Sequence, residues 1–371
     1  MAMTQLPADS AKPANTKTGS NTLPDTYPLI SVAELLELTG LRRQGANPSA
    51  QQAPSSVDLS TNAASDPGTD RPEVQILDCR FELANPHKGQ QDFDAGHIPG
   101  SRYVHIDKDL CAEKTGQNGR HPLPDFFEFV LRTQQWGLKK DSLIIATDAG
   151  NAMVAGRLWW MLRWAGYPKA KVLNGGLTAW TQAGGPLAAS PADVASPGAT
   201  PHANWTATEH ETPQTASGLT GTDATRQSNA DPASSDEPIT PAMQTVDVTA
   251  VVSNLSQKSF QLIDGRDRER FTGERDTMDP VAGHIPGAKN RCFLDNLNPD
   301  GTFKSPVQLK TEYAEMLGDQ SPEAIVHSCG SGVTACHNLL AMEAAGLHGS
   351  KLYPGSWSEY CADPSRPVER G

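Results

Sequence analysis

AIVHSCGSGVTACHNLLAMEAAG, residues 324–346, decides the fold. Ala324-Ile325-Val326-His327 is a short apolar run and predicts a buried strand. Thr334 to Ala345 carries a helical pattern, and Gly346 is placed to stop it. Between strand and helix lies Cys329-Gly330-Ser331-Gly332-Val333-Thr334. Cys329 is therefore expected at the carboxyl end of a strand, the edge at which open α/β sheets bind ligands. Two glycines let the backbone curl tightly, successive N–H groups can form an anion-holding concavity, and the helix that follows adds the positive end of its dipole. A cysteine at the mouth of such a loop is expected as the nucleophilic thiolate. Ser331 can donate a further hydrogen bond.

Working outward, the same order of landmarks occurs earlier in the chain. QILDCR at 75–80 answers QLIDGR at 261–266, and AGHIPGS at 95–101 answers AGHIPGA at 282–288. SLIIATDAGNA at 142–152 answers EAIVHSCGSGV at 323–333, and VLNGG at 172–176 answers LYPGS at 352–356. Four landmarks in one order at nearly constant separation indicate an internal duplication. Each copy alternates short apolar strands with helical stretches, which predicts two tandem α/β domains, each a largely parallel sheet flanked by helices. Asp148 stands where the second copy has Cys329, so only the second copy keeps a nucleophile.

The length of 371 residues agrees with two domains. Residues 1–26 and 188–243 are polar and rich in Ser, Thr, Ala and Pro, and predict a disordered tail and an interdomain linker. Residues 44–72 have the same character and predict an insertion within a first domain spanning 27–187; the second domain is expected at 244–371. The net charge of −12 disfavours a nucleic-acid or anionic-membrane binder. No apolar run is long enough for a membrane span and the N-terminus lacks the hydrophobic core of a secretory signal, so a cytoplasmic protein is expected. Six cysteines without a C-x-x-C pair argue against a disulfide scaffold, a zinc ribbon and a dithiol redox site.

A cysteine phosphatase would need arginine six residues after the nucleophile, where this chain has Ala335. A calcium loop beginning near Asn296 would need glutamate where Val307 stands, and no phosphate-binding P-loop motif is present. Trp159, Trp160 and Trp164 fall at helical spacing and are expected in a core. Cys336 could resolve a disulfide with Cys329, but packing is the better expectation. Asp78 and Asp264 occur in both copies, which assigns them to the scaffold.

The paired domains, the two HIPG signatures, Asp148 opposite Cys329, and CGSGVTAC at 329–336 resemble the tandem-domain rhodaneses, the thiosulfate and 3-mercaptopyruvate sulfurtransferases. DCRFEL (78–83), GRHPLP (119–124), RLWWMLRWAGY (157–167) and NGGLTAW (174–180) add to the likeness, which covers about residues 28–187 and 244–363. The resemblance implies a ping-pong transfer in which Cys329 takes a sulfane sulfur from a small anionic donor, thiosulfate or 3-mercaptopyruvate. An acceptor, cyanide or a thiol including a thioredoxin-like protein, then removes it. No metal or organic cofactor is implied. The resemblance assigns donor binding to Arg270 and to the loop Gly330, Ser331, Gly332, Val333 and Thr334, and offers His97 as a group facing the site, although stabilising the turn before a strand is the better expectation for His97 and His284 alike. The mercaptopyruvate members of the resembling family carry a second arginine nine residues after Arg270, where this chain has Asp279; either Arg275 substitutes from a shifted loop, or mercaptopyruvate is the poorer donor. The competing expectations are a non-catalytic binding or regulatory module, and a sulfur carrier.

Overall fold

The structure is a computed structural model and describes residues 26–41, 72–190, 240–276 and 278–371. The expected tail, insertion and linker fall almost wholly outside the described residues. Two parallel sheets organise the chain. The first joins β1 (Leu29–Ile30), β2 (Val74–Asp78), β3 (Arg102–Tyr103), β4 (Leu143–Thr147) and β5 (Ala170–Leu173) in the order β1-β5-β4-β2-β3. The second joins β6 (Gln261–Asp264), β7 (Lys289–Asn290), β8 (Ile325–Ser328) and β9 (Lys351–Leu352) in the order β7-β6-β8-β9. Every strand pair is parallel. The two orders coincide when β2 is laid on β6 and β4 on β8. The place of β1 is held in the second domain by Thr245, bridged to Leu352.

The central strands β4 and β8 are buried along their whole length, as strands covered on both faces must be. Their registers match: Asp78 pairs with Thr147 and Asp264 with Ser328, so both turning loops leave at the same level of the sheet. The repeated Asp-x-Arg motif fastens that level. Asp78 holds Arg80, which also donates to Gly96 O at 2.8 Å, and Asp264 holds Arg266, which donates to Gly283 O at 2.8 Å. These aspartates are structural, as their presence in both copies indicates.

The domains pack through the helices that follow their turning loops, Met153–Trp164 and Thr334–Ala344. Leu158, Trp159, Trp160, Leu339, Leu340 and Met342 lie in one continuous apolar cluster, so the two domains share a core. Trp159 and Trp160 are fully buried there, and Trp164 nearly so. At about 25 cal/mol per Å² of apolar surface removed from water, this shared core is the main force holding the domains together. A few residues on either side of the polar segment still bond to the first domain. Ala188 pairs with His97, Ser190 N donates to Asp94 O, and Ala242 N donates to Trp164 O, because the chain closes its backbone hydrogen bonds on the first domain before leaving it and on returning.

Candidate active site

Cys329 follows β8 directly and is 2% exposed. Its carbonyl accepts from Trp357 N at 2.9 Å and its N–H donates to Ser356 Oγ at 3.0 Å, which pins the residue to the turn after β9. The chain then reverses. Gly332 adopts φ +77°, a Cβ there would lie 2.3 Å from Pro354 O, and its N–H points back at Cys329 Sγ at 3.1 Å. The loop closes with Val333 at φ −85°, ψ −64°, and Thr334 starts the helix Thr334–Ala344. Sulfur, an inward amide and the positive end of a helix therefore meet where the sequence places them.

Two guanidinium groups lie over the loop. A Cβ on Gly330 would sit 2.7 Å from Arg120 Nη2 and 3.1 Å from Arg270 Nη2, so no side chain is admissible at 330 while both arginines occupy their places. Arg270 rises from the helix Arg268–Thr272, whose cap Asp267 accepts from Arg270 N at 3.0 Å. Arg120 comes from the first domain, and its N–H donates to Ser358 Oγ at 3.0 Å. Asp279 bridges both arginines: Oδ1 accepts from Arg120 Nη1, and Oδ2 accepts from Arg270 Nη2 at 3.0 Å. Burial pushes the Asp279 carboxyl above its ordinary range, against the pull of Arg120.

Across the domain interface His121 Nδ1 lies 2.8 Å from Ser331 Oγ, and its Nε2 lies 3.9 Å from Asp107 Oδ1. Burial, aided by the nearby Arg157 charge, lowers the His121 pKa to about 4, so the imidazole is neutral at physiological pH. Arg157 is fully buried and donates to Gly332 O at 3.2 Å and to His121 O at 3.2 Å, tying the first domain to the loop of the second.

The sequence expectations divide. Cys329, Gly330, Ser331, Gly332, Val333, Thr334 and Arg270 converge on one place. His97 does not join them: its Nδ1 pairs with Phe93 O at 2.7 Å and its ring stacks on Phe93 within its own domain. His284 repeats that arrangement with Phe271 O at 2.7 Å and the Phe271 ring. Both HIPG histidines fasten a turn, and the imidazole at the loop is His121. Arg275 does not replace the missing arginine. Its side chain is 62% exposed and pairs with Glu269 at 2.8 Å, while the second guanidinium over the loop is that of Arg120. Cys336 is packed: Sγ donates to Gly332 O at 3.2 Å, and burial raises its thiol to about 12. Arg120 and His121 stand in GRHPLP of the first copy, where adjacent basic residues are the only local signal of a role at the second copy's loop.

Among the described residues no group of three or more His, Cys, Asp or Glu is placed to hold a metal ion, and no helix is long and apolar enough to cross a membrane. The structure thus brings together a buried cysteine on a tight loop after a strand, a Ser–His pair and two arginines, on a duplicated α/β frame. A thiol, a hydroxyl–imidazole pair and two guanidinium groups gathered at one strand end are the components from which covalent group transfer can be built.

The comparisons with known proteins agree. The Rhodanese-like domain model matches residues 63–183 and 247–363. The chain is 38% identical over 302 residues to the "Probable 3-mercaptopyruvate sulfurtransferase" of Pseudomonas aeruginosa, covering 81% of this chain and 93% of that protein. It is 27% identical over 307 residues to the thiosulfate sulfurtransferase of Mus musculus, covering 81% and 90%. The crystal structure of SseA from Escherichia coli, a 3-mercaptopyruvate sulfurtransferase, aligns with TM-score 0.56 and 27% identity over 78% of this chain and 94% of that one. The chain belongs to the rhodanese family, with two rhodanese domains in tandem, and is a sulfurtransferase.

Proposed function

We propose that this enzyme moves a sulfane sulfur through a persulfide on Cys329, and that 3-mercaptopyruvate is a better donor than thiosulfate. The Cys329 thiolate attacks the donor sulfur, a new S–S bond forms, and the bond between that sulfur and the donor breaks. With thiosulfate the electron pair leaves on sulfite, which needs no proton. With 3-mercaptopyruvate it leaves on carbon as the enolate of pyruvate, which must be protonated. A nucleophilic acceptor (cyanide or a thiol, including a thioredoxin-like protein thiol) then takes the outer sulfur and releases the thiolate.

The observation that carries the donor preference is the contact of Ser331 Oγ with neutral His121 at 2.8 Å beside Cys329. A hydroxyl backed by a neutral imidazole can deliver a proton to a carbanion and be reprotonated. Thiosulfate has no use for it. The Gly332 N–H on the sulfur supports a persulfide anion as it does a thiolate, and Arg270 and Arg120 supply positive charge for the donor's anionic group.

The test compares both donors with cyanide as acceptor in wild type and His121→Asn. The expected result is a fall of about 10²-fold in kcat/KM for 3-mercaptopyruvate and less than about threefold for thiosulfate. Equal losses with both donors would remove the proton-delivery role, and thiosulfate as the better wild-type donor would overturn the preference.

A further inference from the structure

Asp279 occupies the position a bound donor would seek. Its two carboxylate oxygens meet the two guanidiniums that overhang Gly330, one oxygen to each. The carboxylate is 2% exposed, so it is inside the site rather than on its rim. Asp276, fully buried behind it, lies 3.6 Å from Arg270 Nε and 3.6 Å from Arg266 Nη1. Three arginines are thus opposed by Asp264, Asp276 and Asp279, and the formal charge of this cluster is zero. The Nε–H groups of Arg120 and Arg270 are nevertheless buried without a hydrogen-bond partner. The positive charge over the loop is therefore already answered within the protein, although not every arginine donor is satisfied.

We propose that Asp279 is a specificity-determining residue, a built-in counter-anion that a donor must displace from Arg120 and Arg270, and that it disfavours dianionic donors more than monoanionic ones. The inference rests on the assignment of these arginines to the donor and extends it. A competing internal group lowers apparent affinity by the fraction of time it vacates the site. Residual repulsion from the displaced carboxylate scales with donor charge, so it falls about twice as heavily on thiosulfate, a dianion, as on 3-mercaptopyruvate, a monoanion. Asp279 touches neither Cys329 nor Ser331 in any described contact, so its effect belongs in KM rather than kcat.

The experiment uses the full chain with Asp279→Asn and Asp279→Ser, folding being checked by thermal melting. The first readout is binding of inorganic sulfate by calorimetry, which needs no turnover. The second is KM and kcat for both donors. A coupling of ordinary size corresponds to roughly 5- to 150-fold. Sulfate and thiosulfate should therefore bind at least about fivefold more tightly in both variants, with a smaller gain for 3-mercaptopyruvate. Unchanged or weaker sulfate binding, or equal gains for the two donors, would overturn the proposal and make Asp279 a strut that aligns the arginines. If wild type turns over neither donor, the sulfurtransfer reading fails by itself, and the sulfate titration still decides the role of Asp279.

Discussion

The two turning loops, residues 148–155 and 329–336, leave equivalent strands at the same register, yet they are filled differently. In the first, the Asp148 carboxylate takes four backbone N–H groups: Gly150 and Ala152 on Oδ1 at 3.0 and 3.1 Å, and Val154 and Ala155 on Oδ2, both at 3.1 Å. Burial pushes that carboxyl up from its usual range, and the four donors pull it back. In the second, the Cys329 sulfur takes one N–H, that of Gly332. Both strand ends thus turn backbone N–H groups toward the side chain that follows the strand, four in the first copy and one in the second. One copy meets them with a carboxylate, and the other with the cysteine to which we assign the sulfur in transit. The same contrast recurs one layer out, where Asp279 meets the arginines over the second loop.

The comparison can be broken at either loop. Cys329→Asp makes the second loop resemble the first; turnover with any donor should fall by at least about 10³-fold while the protein stays folded, read by steady-state assay and circular dichroism. Residual turnover near wild type would remove Cys329 from the chemistry. Asp148→Ala empties the first loop and strands four N–H groups, three of them buried, which should cost about 3 kcal/mol of stability in denaturant unfolding. A cost below about 0.5 kcal/mol would mean that the carboxylate is not what closes the loop.

A smaller effect concerns pH. His121 is lowered to about 4, and His327 and His337 to about 3, chiefly by burial. Their folded pKa values lie below that of a free histidine, so the unfolded chain takes up protons first. Stability is full above pH 6.5 and declines as pH falls toward 5, by up to about 1.4 kcal/mol per pH unit for each histidine. Thermal melting between pH 7.5 and 5 checks this, and a flat profile contradicts it. The smallest effect is expected at Arg275, which faces solvent and Glu269: Arg275→Ala should move donor KM by less than about twofold.

Much of this was legible in the residues. Strand, loop and helix around Cys329 follow from local signals, and the duplication assigned Asp78, Asp264 and Asp148 by comparing one copy with the other. What the sequence did not disclose is what crosses between domains. His121 and Ser331 are 210 positions apart, and Arg120 and Asp279 are 159 apart. Periodicity reports which face of an element is buried, not which distant loop docks on it. For the same reason the resemblance alone offers His97 to the site, whereas the expectation that it steadies its turn agrees with its contacts. Its motif is repeated, and repetition marks scaffold: both HIPG histidines make the same contacts. Arg275 was considered because a shifted loop could have carried it inward, whereas the inward position went to an arginine of the other domain.

The central claim is that Cys329 holds the sulfur in transit. Incubating the full-length enzyme with 3-mercaptopyruvate or thiosulfate, without acceptor, and mapping its peptides by mass spectrometry tests this most directly. The account predicts one added sulfur atom on the peptide containing Cys329, removed by cyanide and absent from Cys329→Ser. An unmodified Cys329 peptide, or sulfur added instead at Cys79, Cys111, Cys292, Cys336 or Cys361, would contradict it.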